Sequence, residues 1–152
     1  MNKFYPITAS GLAAFQSEKI RLLEKRKEAV INLRTAREMG DLSENAAYHV
    51  ARRELSSIDS RLRYLEKIIR TAKVVVHTNT DTAGIGNKVR LQSENGTVEY
   101  LLVGGFESDP AKGRISHISP IGKALIGKKA GDEIRVATPK GVATYKIIAI
   151  LG

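Results

Sequence analysis

Asp41 and Glu44 are the two acidic residues of the segment Met39–His49, MGDLSENAAYH. They lie three positions apart, in a bend between two stretches with helical patterning. Carboxylate oxygens are hard ligands that suit Mg²⁺, but a tight site needs about six oxygens in octahedral geometry. We therefore expect this acid pair to complete a magnesium site whose other ligands come from another molecule.

A purely structural role for these acids is the alternative. If the second helix begins near Ser43, Glu44 falls in its first turn, where a carboxylate interacts favourably with the helix dipole. Asp41 or Ser43 could then cap that helix by accepting hydrogen bonds from its first N–H groups. Counting back from Ala51 by three and then four residues leads through Tyr48 to Glu44. Glu44 therefore continues the helical spacing past the point where a partner helix can cover it, and this position favours the metal role.

Four arginines flank the acids. Arg34 and Arg37 lie at the end of the first helical stretch, and Arg52 and Arg53 lie about two turns into the second. Antiparallel pairing would bring both sets to a similar height, where they could hold an RNA or DNA phosphate. A solvated helical face is the alternative explanation. Tyr48 could brace the bend or stack on a base.

Residues 8 to about 73 predict two helices. Thr8 or Ser10 can cap the first helix, and Gly40 can adopt the positive φ that ends it. The connection is short, so the helices are expected to be antiparallel neighbours. At about 1.5 Å per residue, helices of about 30 residues form a hairpin roughly 45 Å long. Residues 40–45 form its tip.

Apolar residues recur in both helices with the heptad spacing of a coiled coil. In the first helix they are Leu12, Phe15, Leu22, Ala29, Leu33 and Ala36, and in the second they are Ala51, Leu55, Ile58, Leu62, Leu65, Ile69 and Ala72. Lys19 and Arg26 interrupt the first seam. The second seam has no such interruption, and it is the stronger indication of a coiled coil.

The second half of the chain changes to strand patterning, with Gly, Asn, Asp and Pro at the turns. The predicted strands lie in residues 73–77, 87–93, 97–105, 114–119, 132–138 and 143–151. A short helix is predicted from Ser119 as N-cap, Pro120 at the first helical position and Gly127 at the end. The predicted core includes Ile115, Ile118, Ile121, Leu125 and Ile126. The fold class is thus α+β, with a helical hairpin domain over residues 1–75 and a small α+β domain over residues 76–152.

Composition limits the kinds of partner and compartment. The 152 residues carry a net charge of +9 and contain no cysteine and no tryptophan. A basic balance favours a polyanionic partner, or a complex that contains one, although a basic protein without such a partner is the alternative. Disulfides and thiolate metal sites are excluded. The sequence has no apolar run of about 20 residues and no secretory signal, so we expect a cytoplasmic protein without membrane contact.

Two long motifs identify a resemblance that covers essentially the whole chain. Residues 36–54, AREMGDLSENAAYHVARRE, resemble the tip signature of the bacterial Gre transcript-cleavage factors, most closely the GreA type. Residues 118–141, ISPIGKALIGKKAGDEIRVATPKG, resemble the most characteristic stretch of their C-terminal domain. The resemblance implies an N-terminal antiparallel coiled coil and a C-terminal FKBP-like domain.

The resemblance also implies a function on RNA polymerase. The globular domain would dock at the rim of the secondary channel, with the segment around 114–125 near the docking surface. The coiled coil would reach toward the active site and stimulate the polymerase's own cleavage of the RNA 3′ end in backtracked complexes. The protein would not itself be an enzyme, and we expect a monomer when it is free.

Site residues transfer from the family signature by position. Asp41 and Glu44 match the two tip acids that help to hold a weakly bound Mg²⁺, shared with the polymerase active site, and that orient the attacking water. Arg37 and Arg52 match the basic patch that contacts the extruded RNA. Asn45 and Tyr48 match residues that shape the tip.

Two positions depart from the signature, and three rival functions remain. Position 43 is often lysine in the family and is Ser43 here, while position 47 is often glutamate and is Ala47 here. One rival is a channel-binding regulator that inhibits or retunes polymerase without cleavage. Another is a prolyl isomerase or chaperone, although fold alone does not imply that function. The third is a coiled coil that binds nucleic acid without polymerase.

Overall fold

The computed structural model describes residues 3–152. The chain divides into two compact units. One is formed by residues 13–71, and the other combines the N-terminal residues up to Leu12 with Ala72–Gly152. The predicted α+β class, a helical hairpin followed by an α+β domain, is confirmed.

Helix α1 spans Ala9–Arg37 and helix α2 spans Ala46–Thr71. Thr8 caps α1, as predicted, because its Oγ1 accepts a hydrogen bond from the N–H of Gly11 at 3.0 Å. Helix α2 begins about one turn after Ser43, so Glu44 does not lie in its first turn, as the structural alternative for the tip acids would require.

Ion pairs between the helices establish that they are antiparallel. Arg26 of α1 pairs with Asp59 of α2 at 2.6 Å, and Lys19 of α1 pairs with Glu66 of α2 at 3.9 Å. Residues later in α1 thus contact residues earlier in α2, as in antiparallel helices. These contacts also explain why basic residues interrupt the α1 seam: Lys19 and Arg26 are half-buried, and each extends its charged end to an acid on the facing helix.

The apolar seam follows the predicted spacing. The buried residues of α2 are Ala51, Ile58, Leu62, Leu65 and Ile68, and those of α1 include Ala29 and Ala36. Ala29, Ile58 and Leu62 form one cluster, with Leu22 and Leu55 packed against it. Near the end of α2, Ile68 is fully buried and Ile69 only half-buried, so the predicted seam position there is displaced by one residue.

The ion pairs predict a pH dependence for the stability of the hairpin. The hydrogen bond from Arg26 lowers the pKa of Asp59, and that from Arg61 lowers the pKa of Glu18. A carboxylate whose pKa is lower in the folded state stabilises the fold above its unfolded pKa of about 4, and this contribution is lost as the pH falls through the folded value. Both pairs are partly exposed to solvent, which screens the charges and keeps each contribution small.

We therefore expect acidification below about pH 4 to lower the melting temperature of the wild type more than that of Asp59→Asn. Thermal unfolding followed by circular dichroism at a series of pH values measures this. Glu24→Gln is the control, since Glu24 is exposed and pairs with Lys27 of its own helix rather than with the facing helix. Equal acid sensitivity of Asp59→Asn and the wild type would contradict the prediction.

The main sheet has five strands in the order β5-β4-β3-β7-β6. These strands are Lys88–Ser93 (β3), Gly96–Val103 (β4), Arg114–Ser116 (β5), Glu133–Thr138 (β6) and Gly141–Leu151 (β7). All pairs are antiparallel except β4 with β5. Five predicted strands are thereby confirmed. The sixth, in residues 73–77, corresponds to the short strand Ala72–Val74 (β2), which lies outside this sheet.

Helix α3 spans Pro120–Leu125 and begins as predicted. The Ser119 Oγ accepts a hydrogen bond from the N–H of Gly122 at 3.1 Å, and Gly127 has a positive φ of 80°. Residues buried among α3 and the sheet include Val89, Leu91, Leu102, Leu125, Ile134 and Ile147. The predicted core is wrong at Ile118 and Ile126, which are 59% and 41% exposed, because Ile118 precedes α3 and Ile126 follows it.

A two-stranded parallel sheet joins residues that are far apart in sequence. Strand β1, Tyr5–Ile7, pairs with strand β2, Ala72–Val74, in a register that aligns Tyr5 with Ala72. The N–H of Val75 extends the pairing by donating to the carbonyl of Ile7 at 2.9 Å. Both helices of the hairpin lie between these strands in the chain.

A buried carboxylate stands at the start of α1. Glu107 is 7% exposed. It accepts hydrogen bonds from the Thr8 N–H at 3.0 Å, from the Gly104 N–H at 2.9 Å and from the Thr8 hydroxyl. A Cβ at Gly11 would lie 1.9 Å from the Glu107 Oε1, so only glycine leaves room for this carboxylate. A carboxylate at a helix N-terminus also interacts favourably with the helix dipole.

Candidate functional site

The bend between α1 and α2 starts where α1 loses its hydrogen bonding. The N–H of Met39 donates to the carbonyl of Ala36, three residues earlier, instead of to the residue four earlier as in an α-helix. Gly40 follows with φ of 115°, which is the positive φ expected from its position at the end of the first helix. Asp41, Ser43 and Glu44 then form an exposed tip.

Asp41 is fixed by its second neighbour along the chain. Its Oδ1 accepts hydrogen bonds from the Ser43 N–H at 3.0 Å and the Ser43 hydroxyl at 2.9 Å. Both bonds favour the ionised form, and they lower the pKa of Asp41. The Asp41 Oδ2 makes no hydrogen bond within residues 3–152, so it is free to bind a ligand from solvent.

Glu44 is exposed and makes no hydrogen bond or ion pair with the described part of the chain. It lies two residues before the first residue of α2. The Glu44 side chain therefore lies close to the partial positive charge of the helix N-terminus. Asp41 and Glu44 thus present carboxylate oxygens to solvent on the same short tip.

Asn45 caps α2, whereas the structural alternative considered from the sequence gave this role to Asp41 or Ser43. Its Oδ1 accepts a hydrogen bond from the Tyr48 N–H at 3.1 Å. Its Nδ2 donates to the carbonyl of Ala36 at 2.7 Å, so one side chain joins the start of α2 to the end of α1. Because Asn45 caps α2, the Asp41 carboxylate does not, and it accepts the two hydrogen bonds from Ser43 instead.

We expect Asn45→Ala to destabilise the hairpin by about 1–2 kcal/mol, because it removes the cap of α2 and one of the two hydrogen bonds that the Ala36 carbonyl accepts. Asn45→Asp is the matched control. It keeps the acceptor for the Tyr48 N–H but cannot donate to Ala36, so its loss should be smaller. Urea unfolding followed by circular dichroism measures both. Equal stability of the alanine variant and the wild type would exclude the bridging role.

The predicted basic and aromatic residues are brought together only in part. The Arg37 guanidinium lies 5.9 Å from the centre of the Tyr48 ring, within the range of a cation–π contact. The ring of His49 lies 5.5 Å from that of Tyr48. Arg52 is exposed and forms no ion pair within residues 3–152. RNA binding by Arg37 and Arg52 stays a prediction.

Asp41 and Glu44 are the residues of the tip that could hold a magnesium ion, and this role stays a prediction. Among the described residues, no group of three or more histidine, cysteine, aspartate or glutamate side chains could hold a metal ion. Asp41 and Glu44 offer hard oxygen donors, and neither is paired with a cation in the described chain. Such a donor pair would leave most positions of an octahedral Mg²⁺ to other ligands.

A cleft lies beside α3. It has a volume of about 290 Å³, and its lining includes Tyr100, Pro110, Ile121 and Pro139. Tyr100 is the single aromatic residue of that lining, and its burial raises its pKa. An isomerase pocket lined by aromatic side chains is therefore not present at this place.

Among residues 3–152, no helix combines the length and the apolar character that crossing a bilayer requires.

Comparison with known proteins assigns both halves of the chain to one family. Residues 77–151 match the family described as "Transcription elongation factor, GreA/GreB, C-term", and residues 5–74 match "Transcription elongation factor, N-terminal". The chain belongs to the GreA/GreB family of transcription elongation factors. It is 40% identical over 153 residues to transcription elongation factor GreA of Geobacillus kaustophilus, with 97% of each chain covered. It is also 40% identical to GreA of Bacillus subtilis, over 152 residues and 97% of each chain.

Solved structures of the GreA/GreB type share lower similarity. The GreA factor homolog 1 (Gfh1) protein of Thermus thermophilus is 27% identical, with 99% of this chain and 100% of that chain covered, at a TM-score of 0.47. Gfh1 of Thermus aquaticus is 25% identical, with full coverage of both chains, at a TM-score of 0.46. Scores this low do not discriminate among the activities of GreA/GreB relatives.

The role of Ser43 and the capping role of Asn45 were not predicted from the sequence. A signal for each is visible in hindsight. Aspartate followed two positions later by serine is typical of a side-chain turn, and asparagine before a helical run is a favoured N-cap. Three polar residues within five positions competed for one cap, and spacing alone did not decide among them.

Proposed function

We propose that this GreA/GreB protein binds RNA polymerase and stimulates the polymerase's own cleavage of RNA in backtracked complexes. It is not the nuclease in this proposal, since it contributes only part of a catalytic site. The family membership supports an elongation factor, and the acid pair at the tip supports the cleavage role. We also propose that it acts as a monomer in the cytoplasm.

One observation carries the proposal: Asp41 is held in its ionised form by Ser43, with one carboxylate oxygen free, on the same exposed tip as Glu44. Ionised and uncommitted carboxylates can bind an incompletely coordinated Mg²⁺ as soon as the tip meets it. The ion would supply Lewis acidity and help to activate water for attack on the RNA phosphodiester. The two acids position the ion, and a free oxygen can orient the water.

The basic side of the tip would handle the RNA. Arg37 and Arg52 are exposed and could neutralise phosphates of the extruded RNA 3′ end. The Tyr48 ring contacts the Arg37 guanidinium, and the Tyr48 N–H donates the hydrogen bond by which Asn45 caps α2. These two residues are therefore proposed as supports of the tip.

The test uses RNA polymerase stalled in a backtracked complex with labelled RNA and Mg²⁺. Addition of the wild-type protein should accelerate release of short RNA fragments from the 3′ end and restore elongation. Binding without acceleration, or inhibition of elongation, would instead identify a regulator that occupies the channel without promoting cleavage. Binding to naked RNA as tight as to the polymerase complex would favour the plain nucleic-acid-binding coiled coil.

A further inference from the structure

The imidazole of His49 reaches from α2 back over the tip. His49 is the fourth residue of the helix, and its Nε2 lies 3.4 Å from the carbonyl oxygen of Ser43. A carbonyl oxygen can only accept a hydrogen bond, so the Nε2 carries a proton and donates the bond. His49 thus makes a defined contact at the tip that the proposed function does not use.

Neighbouring residues hold the imidazole in this direction. The backbone N–H of His49 donates to the carbonyl of Asn45 at 3.2 Å, as the first turn of an α-helix requires. The rings of His49 and Tyr48 lie 5.5 Å apart and are tilted by 59°. The fourth residue of a helix often packs against the residue before the cap and thereby fixes the angle at which the chain enters the helix. His49 makes a polar contact of this kind, with Ser43 two residues before the cap.

The residue that accepts the bond from His49 is also the residue that holds Asp41. The Ser43 N–H and hydroxyl donate to the Asp41 Oδ1 at 3.0 and 2.9 Å, while the Ser43 carbonyl accepts from His49. That carbonyl belongs to the planar peptide group that joins Ser43 to Glu44. Its orientation therefore sets the direction in which the backbone carries the second acid. One bond from His49 thus acts on the positions of both acids.

Few other contacts order the bend. Residues 40–44 are all exposed, so burial does not fix them. The Asn45 N–H donates to the Leu42 carbonyl at 3.4 Å, which is a long hydrogen bond. Fixing the backbone of one residue costs about 1–2 kcal/mol of conformational entropy. A bend that is ordered before it meets Mg²⁺ avoids this cost at the moment of binding.

We propose that His49 is a positioning residue for the acid pair: its Nε2–H holds the Ser43 carbonyl, and this contact keeps Asp41 and Glu44 in the arrangement that receives Mg²⁺. The inference rests on the proposed function, because that function supplies the ion. His49 contacts neither the ion nor the RNA in this proposal. Its effect is to raise the fraction of molecules whose two acids are ready to bind, and the apparent affinity for the ion follows that fraction.

The Mg²⁺ dependence of stimulated cleavage, measured at saturating protein, tests this role. His49→Leu removes the donor and should raise the half-maximal Mg²⁺ concentration about threefold to fivefold, the equivalent of one modest hydrogen bond. The limiting rate at high Mg²⁺ should stay close to that of the wild type. The side-chain amide of glutamine extends about as far as the imidazole Nε2, so His49→Gln should restore the wild-type dependence. The shorter His49→Asn places its donor near the position of Nδ1 and should not restore it.

A purely structural role for His49 leads to a different result. If the bond served only to stabilise the start of α2, His49→Leu would lower the stability of the hairpin, and added protein would restore cleavage at every Mg²⁺ concentration. A wild-type Mg²⁺ dependence of His49→Leu at saturating protein would therefore overturn the proposal. Equal behaviour of the glutamine and asparagine variants would overturn it as well, because the position of the donor would then be irrelevant.

The order of the bend in the free protein separates this proposal from the proposed function. Nitrogen-15 relaxation should give backbone order parameters near 0.85 for Ser43 and Glu44 in the wild type, and values below about 0.6 in His49→Leu. His49→Gln should recover the wild-type values. Unchanged order parameters in His49→Leu would overturn the positioning role. Failure of the wild type to stimulate cleavage would overturn the proposed function, whereas the order parameters would still decide whether His49 fixes the bend.

Discussion

Asp41→Asn/Glu44→Gln is expected to lose cleavage stimulation by a factor on the order of 10²–10³ while binding polymerase within about twofold of the wild type. Both changes keep the shape of the side chain. The asparagine oxygen can still accept the hydrogen bonds that Ser43 gives to Asp41. What changes is the charge, and neutral amide oxygens are much weaker ligands for Mg²⁺ than carboxylates are.

Single variants and magnesium dependence sharpen this expectation. Asp41→Asn and Glu44→Gln alone should each shift the half-maximal Mg²⁺ concentration for stimulated cleavage upward, because one ligand remains. Glu38→Gln is the matched control, since Glu38 is an exposed acid just before the tip. It should behave as the wild type does. A double variant that binds polymerase and cleaves at the wild-type rate would show that the acids serve the tip structure alone.

Glu107→Ala is expected to destabilise the unit that contains the main sheet by about 3 kcal/mol, or roughly 12–24 °C in melting temperature. The change leaves the Thr8 N–H, the Thr8 hydroxyl and the Gly104 N–H without their acceptor in a buried place. Glu107→Gln keeps one acceptor oxygen and should lose less. Glu133→Ala, at an exposed sheet position, should stay within about 0.5 kcal/mol of the wild type.

A double-mutant cycle tests whether Glu107 itself is the reason for glycine at position 11. Gly11→Ala alone should be destabilising, because its Cβ would overlap the Glu107 carboxylate. In the Glu107→Ala background the same change should cost much less, since that space is empty and alanine favours the helix by up to about 1 kcal/mol. Urea unfolding followed by tyrosine fluorescence measures all four proteins. Additive effects would contradict direct contact between the two positions.

The hairpin was predictable because its signals are local. The spacing of Ile58, Leu62 and Leu65 identified the seam, and Thr8 and Ser119 identified two helix starts. The residue that caps α2 could not be chosen from the sequence, because several neighbouring polar residues can cap a helix. The hydrogen bonds of Asn45 to the Tyr48 N–H and to the end of α1 identify it. The residue types and spacing of Asp41 and Glu44 were readable, whereas the bonds that fix Asp41 required the backbone of the bend.

The rest of the fold depends on contacts between distant residues. The strand Tyr5–Ile7 is too short to show the alternating pattern of a strand, and its partner strand follows both helices in the sequence. Sequence spacing does not single out Glu107, because two of its three donors belong to Thr8, which is 99 residues away in the chain. Ile118 and Ile126 are apolar yet exposed, and composition alone places such residues in a core.

Because β1 and β2 lie side by side, the whole hairpin is an insertion whose two ends are neighbours in space. Its length can therefore change without altering the pairing of Tyr5 with Ala72. Removing one heptad from each helix would withdraw the acids by about 10.5 Å while preserving the phase of the seam. The length of the hairpin can thus change independently of the domain that carries it, because it is set by the number of heptads.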